Sequence, residues 1–161
     1  TSHLFTLRLS VDPNFTDVGE TPYGRRRIGI VTGGTFEGEE LRGTVLPAPG
    51  GDWLLLRRDG ILMLDVRITL KTDDDHLIYM SYRGMRHGPA FVMEQLNRGE
   101  PVDPAQYYFR TTPWFETASE KYRFLNRIVA VATGRADGEW ETQTGKSVPL
   151  DPLQRALATS R

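Results

Sequence analysis

With 161 residues the chain is long enough to bury a core as one domain without disulfide or metal staples. It has no cysteine, which excludes disulfides, thiolate metal sites and a cysteine nucleophile and fits a reducing compartment, so a cytoplasmic protein is expected. Lys and Arg number 20 against 21 Asp and Glu, so no global field draws the protein to nucleic acid or an anionic membrane, and neither is expected as a partner.

The opening stretch TSHLFTLRLSVD interrupts its apolar residues with Thr6, Arg8 and Ser10, which fits neither a signal peptide nor a membrane span. Phe5, Leu7, Leu9 and Val11 fall on one side of a period-two pattern, the mark of a half-buried strand. RRIGIVTGG is a second strand, in which Arg25 and Arg27 share a side and Arg26 takes the other. Such a cation either belongs to a solvated face or, as for Arg27, reaches inward to hold a carboxylate, phenolate or enolate. GGTFEG, Gly33 to Gly38, lacks the Lys-Ser/Thr of a phosphate loop and opens no helical pattern, so it reads as a bend or bulge. ELRGTVL and DWLLLRRDG are further strands, divided by the turn-rich LPAPGGD.

MLDVRITLKT alternates again, with Leu64, Val66, Ile68 and Leu70 opposing Asp65, Arg67, Thr69 and Lys71. If the charged side faces the interior, Asp65 and Arg67 belong to a site; if the apolar side does, they decorate the surface, and periodicity leaves both readings open. DDDH is a turn, from which LIYMSYRG returns as the second arm of a hairpin. Arg86 and His87 then fall in a loop after this strand, a common place for function, and His87 brings an imidazole that could carry a proton. Pro89 suits a first helical position, Val92 and Leu96 share a helical face, and Gly99 ends the run.

QYYFRTTPWFE is a strand too polar for a core and too aromatic for an ordinary surface. Unbroken, it puts Tyr108, Arg110, Thr112, Trp114 and Glu116 on one face; a bend at Pro113 would take Trp114 and Glu116 out of that register. The face is either a pocket wall or core aromatics with an Arg110–Glu116 ion pair. Ser119 with EKYRF suggests one helical turn before a strand beginning near Asn126, and Asp151 and Pro152 can open a second helix with Leu153, Ala156 and Leu157 on its apolar face. So many short strands joined by turn residues predict an all-β fold: a single antiparallel up-and-down barrel, lipocalin-like, over residues 1–161, with one or two short helices. Closure removes the edges that the strands would otherwise expose.

The sets DVGETPYGRRR with TGGTFEGEELRGTVLP, then LDVRITLKTDDDHLIYMSYRGMRHGP, then GEPVDPAQYYFRTTPWFET with YRFLNRIVAVATG resemble the small bacterial family catalogued as domain of unknown function 3237, from about Phe5 to Gly134. The resemblance implies a compact β-barrel. It also implies that the family's recurrent polar residues match Arg26, Arg27, Asp65, Arg67, Arg86, His87, Tyr107, Tyr108, Arg110, Thr111, Glu116 and Asn126. It supplies no settled catalytic residue.

Two functions compete. The first is a cofactor-independent acid–base enzyme, an isomerase, cyclase, hydratase or lyase, working on a small aromatic or carbonyl-bearing metabolite in the barrel. Glu116 or Asp65 would be its base, and His87 or Tyr82 would return the proton. Arg67 and Arg110 would stabilise an oxyanion, while Arg27, Tyr108, Trp114 and Asn126 complete the substrate contacts. The alternative is a barrel that holds a small molecule without changing it. No two histidines have ligand spacing, so no metal is expected, and neither function calls for a cofactor. The partner expected is a small molecule, and a homo-oligomer is compatible with either function.

Overall fold

The alternating segments pair into a closed antiparallel wall in the computed structural model, which describes residues 2–136 and 139–144. Its strands are β1 (Ser2–Val11), β2 (Thr16–Thr21), β3 (Gly24–Glu37), β4 (Arg42–Val45), β5 (Gly51–Leu56), β6 (Leu62–Thr72), β7 (Leu77–His87), β8 (Tyr108–Glu116), β9 (Ala130–Gly134) and β10 (Glu139–Thr144). Helix α1 (Ala90–Asn97) lies between β7 and β8, and single 3₁₀ turns span Pro104–Gln106 and Arg123–Arg127. The second helix expected at Asp151 to Leu157 lies outside the described residues. No helix among the described residues is long and apolar enough to cross a membrane.

Strands pair in the order β1-β10-β9-β8-β7-β6-β4-β3, and β1 pairs again with β3, so the sheet closes on itself. β5 bridges β3 and β6, while β2 extends β3 outside the ring. This is the expected barrel, and closure leaves β1 and β10 no open edge on that seam.

The glycine-rich stretch of β3 makes the expected bulge. Ser10 pairs with Gly33 but Val11 with Val31, so Thr32 is the extra residue. Gly33 and Gly34 take φ of 146° and 148°, and a Cβ on Gly34 would meet the Arg8 carbonyl oxygen at 2.2 Å. On one side of this bulge β3 pairs with β1 and β4; on the other it pairs with β2 and β5. The first half is packed solid: Phe5, Leu7, Phe36, Leu70, Ile78 and Met80 are each no more than 1% exposed, and Phe5 meets Phe36 and Phe115 edge-on at 5.6 and 5.9 Å.

The tip of the β6–β7 hairpin is tied down at this filled end. Asp74 accepts from Lys121 Nζ at 2.5 Å and from the Tyr122 hydroxyl at 2.9 Å. The Lys121 ammonium holds its carboxyl well below the usual range. Helix α1 is where Pro89 and Gly99 predict it, with Val92 buried and Met93 and Leu96 against the core. Two local expectations are corrected. β7 runs on through Arg86 and His87, which are strand rather than loop residues, and the strand expected near Asn126 begins at Ala130 because a 3₁₀ turn occupies Arg123–Arg127.

Candidate functional site

In the half beyond the bulge the apolar filling gives way to a cavity of about 840 Å³. Its walls follow from register, since residues directly paired across antiparallel strands project to the same side. Asp52 of β5 pairs with Val66 of β6, Val66 with Tyr82 of β7, and Tyr82 with Pro113 of β8. Val66 and Tyr82 are buried, so this row faces the barrel interior and carries Asp52 with it. A second inward row is Leu56, Leu62, Arg86 and Phe109. Leu54, Leu64, Met93 of α1 and Phe15 complete most of the apolar lining, and Asp17, Arg25, Arg27 and Arg135 supply the remaining charges.

Asp52 is the unusual group. Burial pushes its carboxyl up to about 7, against the Asp65 backbone N–H that donates to Oδ1 at 3.2 Å. The Asp65 charge adds to the rise, and Arg26 and Arg86 oppose it. Burial, and then the Asp52 charge, hold the Tyr82 hydroxyl well above the usual phenol range. Arg86 is drawn down by burial, with Tyr107 and Asp52 acting the other way. Its guanidinium lies 5.7 Å from the centre of the Phe109 ring, and its buried Nε has no hydrogen-bond partner among the described residues. A carboxyl that is part protonated at neutrality and a fixed cation on the same cavity can together move a proton and hold the anion left behind.

The residues expected from sequence divide between the two sides of the wall. Tyr82 is inside, on the row of Asp52, and Arg27 lines the cavity, its guanidinium 4.6 Å above the Phe15 ring. Asp65, Arg67, Arg110 and Glu116 do not converge in the barrel. Burial in β6 and β8 alternates with Leu64, Val66, Ile68, Phe109, Thr111 and Phe115 inward, which turns all four outward. Asp65 pairs there with Arg67 and Arg83 at 3.4 Å each, and Arg67 lies over Trp53 at 5.1 Å. Arg110 donates to the Phe109 carbonyl and lies over Tyr108, and His87 stacks on the same Tyr108 ring at 4.9 Å. Trp114 is 62% exposed. Asn126 exchanges two hydrogen bonds with the Thr117 backbone at 2.8 and 2.9 Å, which shapes the chain after β8.

Pro113 does not break the register: burial alternates without a slip from Tyr108 to Glu116. It sits past Thr111, the last β8 residue paired with β9, where a missing N–H is tolerated. Asp52 was the residue missed, because GGD reads as turn chemistry at the head of a strand. The available signal was its phase, since Asp52 alternates in step with Leu54 and Leu56. Among the described residues no three His, Asp or Glu side chains cluster so as to hold a metal ion.

Known proteins share this architecture. A UPF0311 protein of Bradyrhizobium diazoefficiens is 39% identical over 133 residues, covering 83% of this chain and 86% of its own. The crystal structure of a β-barrel-like protein from Acinetobacter baumannii superposes with a TM-score of 0.76 at 39% identity, covering 89% of this chain and 94% of that one. A Penicillium herquei protein described as an enzyme has the same fold at 20% identity and a TM-score of 0.68, covering 89% of this chain and 91% of that one. The model of the family of proteins of unknown function DUF3237 matches residues 1–148, and with relatives this similar over most of their length, the chain belongs to that family.

Proposed function

We propose that the barrel is a cofactor-independent acid–base enzyme that moves a proton on a small carbonyl-bearing or aromatic metabolite held in the cavity. The observation that carries this reading is Asp52, a cavity-wall carboxyl raised to about 7. At neutral pH such a group is populated in both forms, which is what a general base that must also give its proton back requires. In the reading, the Asp52 carboxylate removes a proton from carbon next to a carbonyl, and the electron pair moves to the oxygen. Arg86 stabilises the resulting enolate, and Tyr82, kept a neutral phenol by burial, stands behind the cavity wall on the inward row of Asp52. Return of the proton from Asp52 to a different atom of the enolate gives an isomerase; if the enolate instead expels a group from its β-carbon, which leaves with that proton, the outcome is a lyase, and if it attacks a second carbonyl of the same molecule, whose oxygen takes the proton, the outcome is a cyclase. The enzyme from Penicillium herquei supports the reading at the level of the fold alone.

The carrier reading is supported by the aliphatic walls of Leu54, Leu56, Leu62 and Leu64. Proton exchange separates the two. In D2O, wild type is expected to accelerate loss of the benzylic proton signal of phenylpyruvate, followed by NMR. Asp52→Asn should lose that acceleration by about a hundredfold or more, the lower range for removing a general base. Glu116→Gln, on the outer face, should keep it. Equal exchange by Asp52→Asn and wild type would remove Asp52 from the chemistry, and binding with no exchange by wild type would favour a carrier.

A further inference from the structure

We infer that the substrate is an amphipathic organic anion: a ring or short hydrocarbon body bearing one carboxylate or acidic enol, its charge seated between Arg86 and Arg27. The inference rests on reading the cavity as the reaction site and names what enters it. It starts from the charges on the wall. Among the described residues, Arg25, Arg27 and Arg86 line the cavity with two carboxylates, Asp17 and Asp52. Arg25 is taken up by Asp17, at 2.5 Å. The remaining lining therefore carries more cation than anion in a space whose other walls, Asn14 and Asn97 apart, are largely hydrocarbon, and that excess attracts a negative ligand.

Arg86 and Arg27 are suited to receive it. Arg86 forms no salt bridge among the described residues, and its Nε is buried without a partner. A guanidinium held in that state has lost water without gaining a full set of acceptors, a loss that an incoming carboxylate offsets. Phe109 lies beneath the Arg86 guanidinium and Phe15 beneath that of Arg27. These rings hold the two planes while leaving their N–H edges for a planar, two-oxygen acceptor. Leu54, Leu56, Leu62 and Leu64 then take the apolar body of the ligand. A neutral ligand would leave the cations uncompensated, and a cation would meet repulsion.

The test compares 2-naphthoate with its neutral isostere 2-naphthamide by calorimetric titration against the whole chain. Naphthoate should bind at least about tenfold more tightly, the size expected for one charge-assisted pair, and raising the salt concentration should weaken naphthoate alone. Arg86→Gln and Arg27→Gln should each reduce the preference, and Arg86→Lys should restore part of it, which a merely misfolded variant would not do. Equal binding of acid and amide, binding of neither, or a preference unchanged in both Gln variants would overturn the inference. Asp52→Asn keeps this separate from the proton-transfer reading: it should lose exchange while still preferring naphthoate. A preference seen without exchange would leave the ligand class standing and remove the chemistry; exchange without preference would do the reverse.

Discussion

The two faces of the β5–β8 wall are built from similar residues and differ in what surrounds them. On β8, Phe109, Thr111, Pro113 and Phe115 are buried while Tyr108, Arg110, Thr112, Trp114 and Glu116 are exposed, so aromatic content alone does not mark the inside. The carboxylates make the same contrast on adjoining strands. The Asp65 backbone N–H donates to Asp52 Oδ1, yet the Asp65 side chain projects outward to Arg67 and Arg83, and that of Asp52 lines the cavity. Outside, a charge has water and two guanidinium groups at 3.4 Å. Inside, the carboxyl has lost its water, and its proton affinity rises until it titrates at about 7. The side of the wall on which a carboxylate stands, more than the number of charges near it, decides what it can do.

The largest effect should separate two adjacent β8 residues. Phe115 is 5% exposed and lies edge-on to Phe5, whereas Trp114 is 62% exposed. Phe115→Ala should cost about 3–5 kcal/mol in urea unfolding, the range for emptying an aromatic site in a packed core. Trp114→Ala should stay within about 0.5 kcal/mol of wild type, as surface changes usually do. Similar losses for both would break the division of the wall into a packed side and a solvated one.

The sequence makes the strands legible and leaves their sidedness ambiguous. Period two groups Tyr108, Arg110, Thr112, Trp114 and Glu116 correctly, and the opposite set, Phe109, Thr111, Pro113 and Phe115, is the more apolar, but the large rings of Tyr108 and Trp114 mask that difference. In β6 the aliphatic set Leu64, Val66, Ile68 and Leu70 does face inward, the reading in which Asp65 and Arg67 are surface charges. Gly84 misled in a different way. It reads as the end of a strand, yet it stands inside β7, where a Cβ would meet the Arg110 carbonyl oxygen of β8 at 2.2 Å. Its presence reflects that close approach, and β7 continues past it to carry Arg86 onto the inner row. Asp52 was hidden by its glycine neighbours, because local turn chemistry and strand phase make different claims on the same residue.

An effect of similar size concerns how Asp52 links stability to pH. A carboxyl whose pKa is higher in the folded chain than the roughly 3.9 of an unfolded one binds more protons when folded. Its contribution is therefore present at pH 4, falls as pH rises towards about 7, and is level beyond. Asn in its place removes the slope. Asp52→Asn and wild type should melt alike near pH 4, and by pH 8 the variant should be the more stable by on the order of 4 kcal/mol, for a rise of about 3 pH units at about 1.4 kcal/mol each. Thermal melts across that interval check it, and parallel curves would show that the carboxyl is not raised. The same substitution is the one expected to abolish proton exchange, so gain of stability and loss of chemistry should arrive together.

The smallest effect tests whether the outer face reaches the inner one at all. Asp65→Asn removes two exposed ion pairs of 3.4 Å, which should change stability by no more than about 1 kcal/mol. The Asp65 charge also contributes to the rise of the Asp52 carboxyl. Taking that charge away makes the Asp52 anion easier to form, so the acid limb of the exchange rate should move to lower pH while the plateau keeps its height. A move to higher pH would contradict the electrostatic account of Asp52. Loss of the plateau would instead make Asp65 part of the chemistry, and the separation of the two faces would fail where their backbones are hydrogen-bonded.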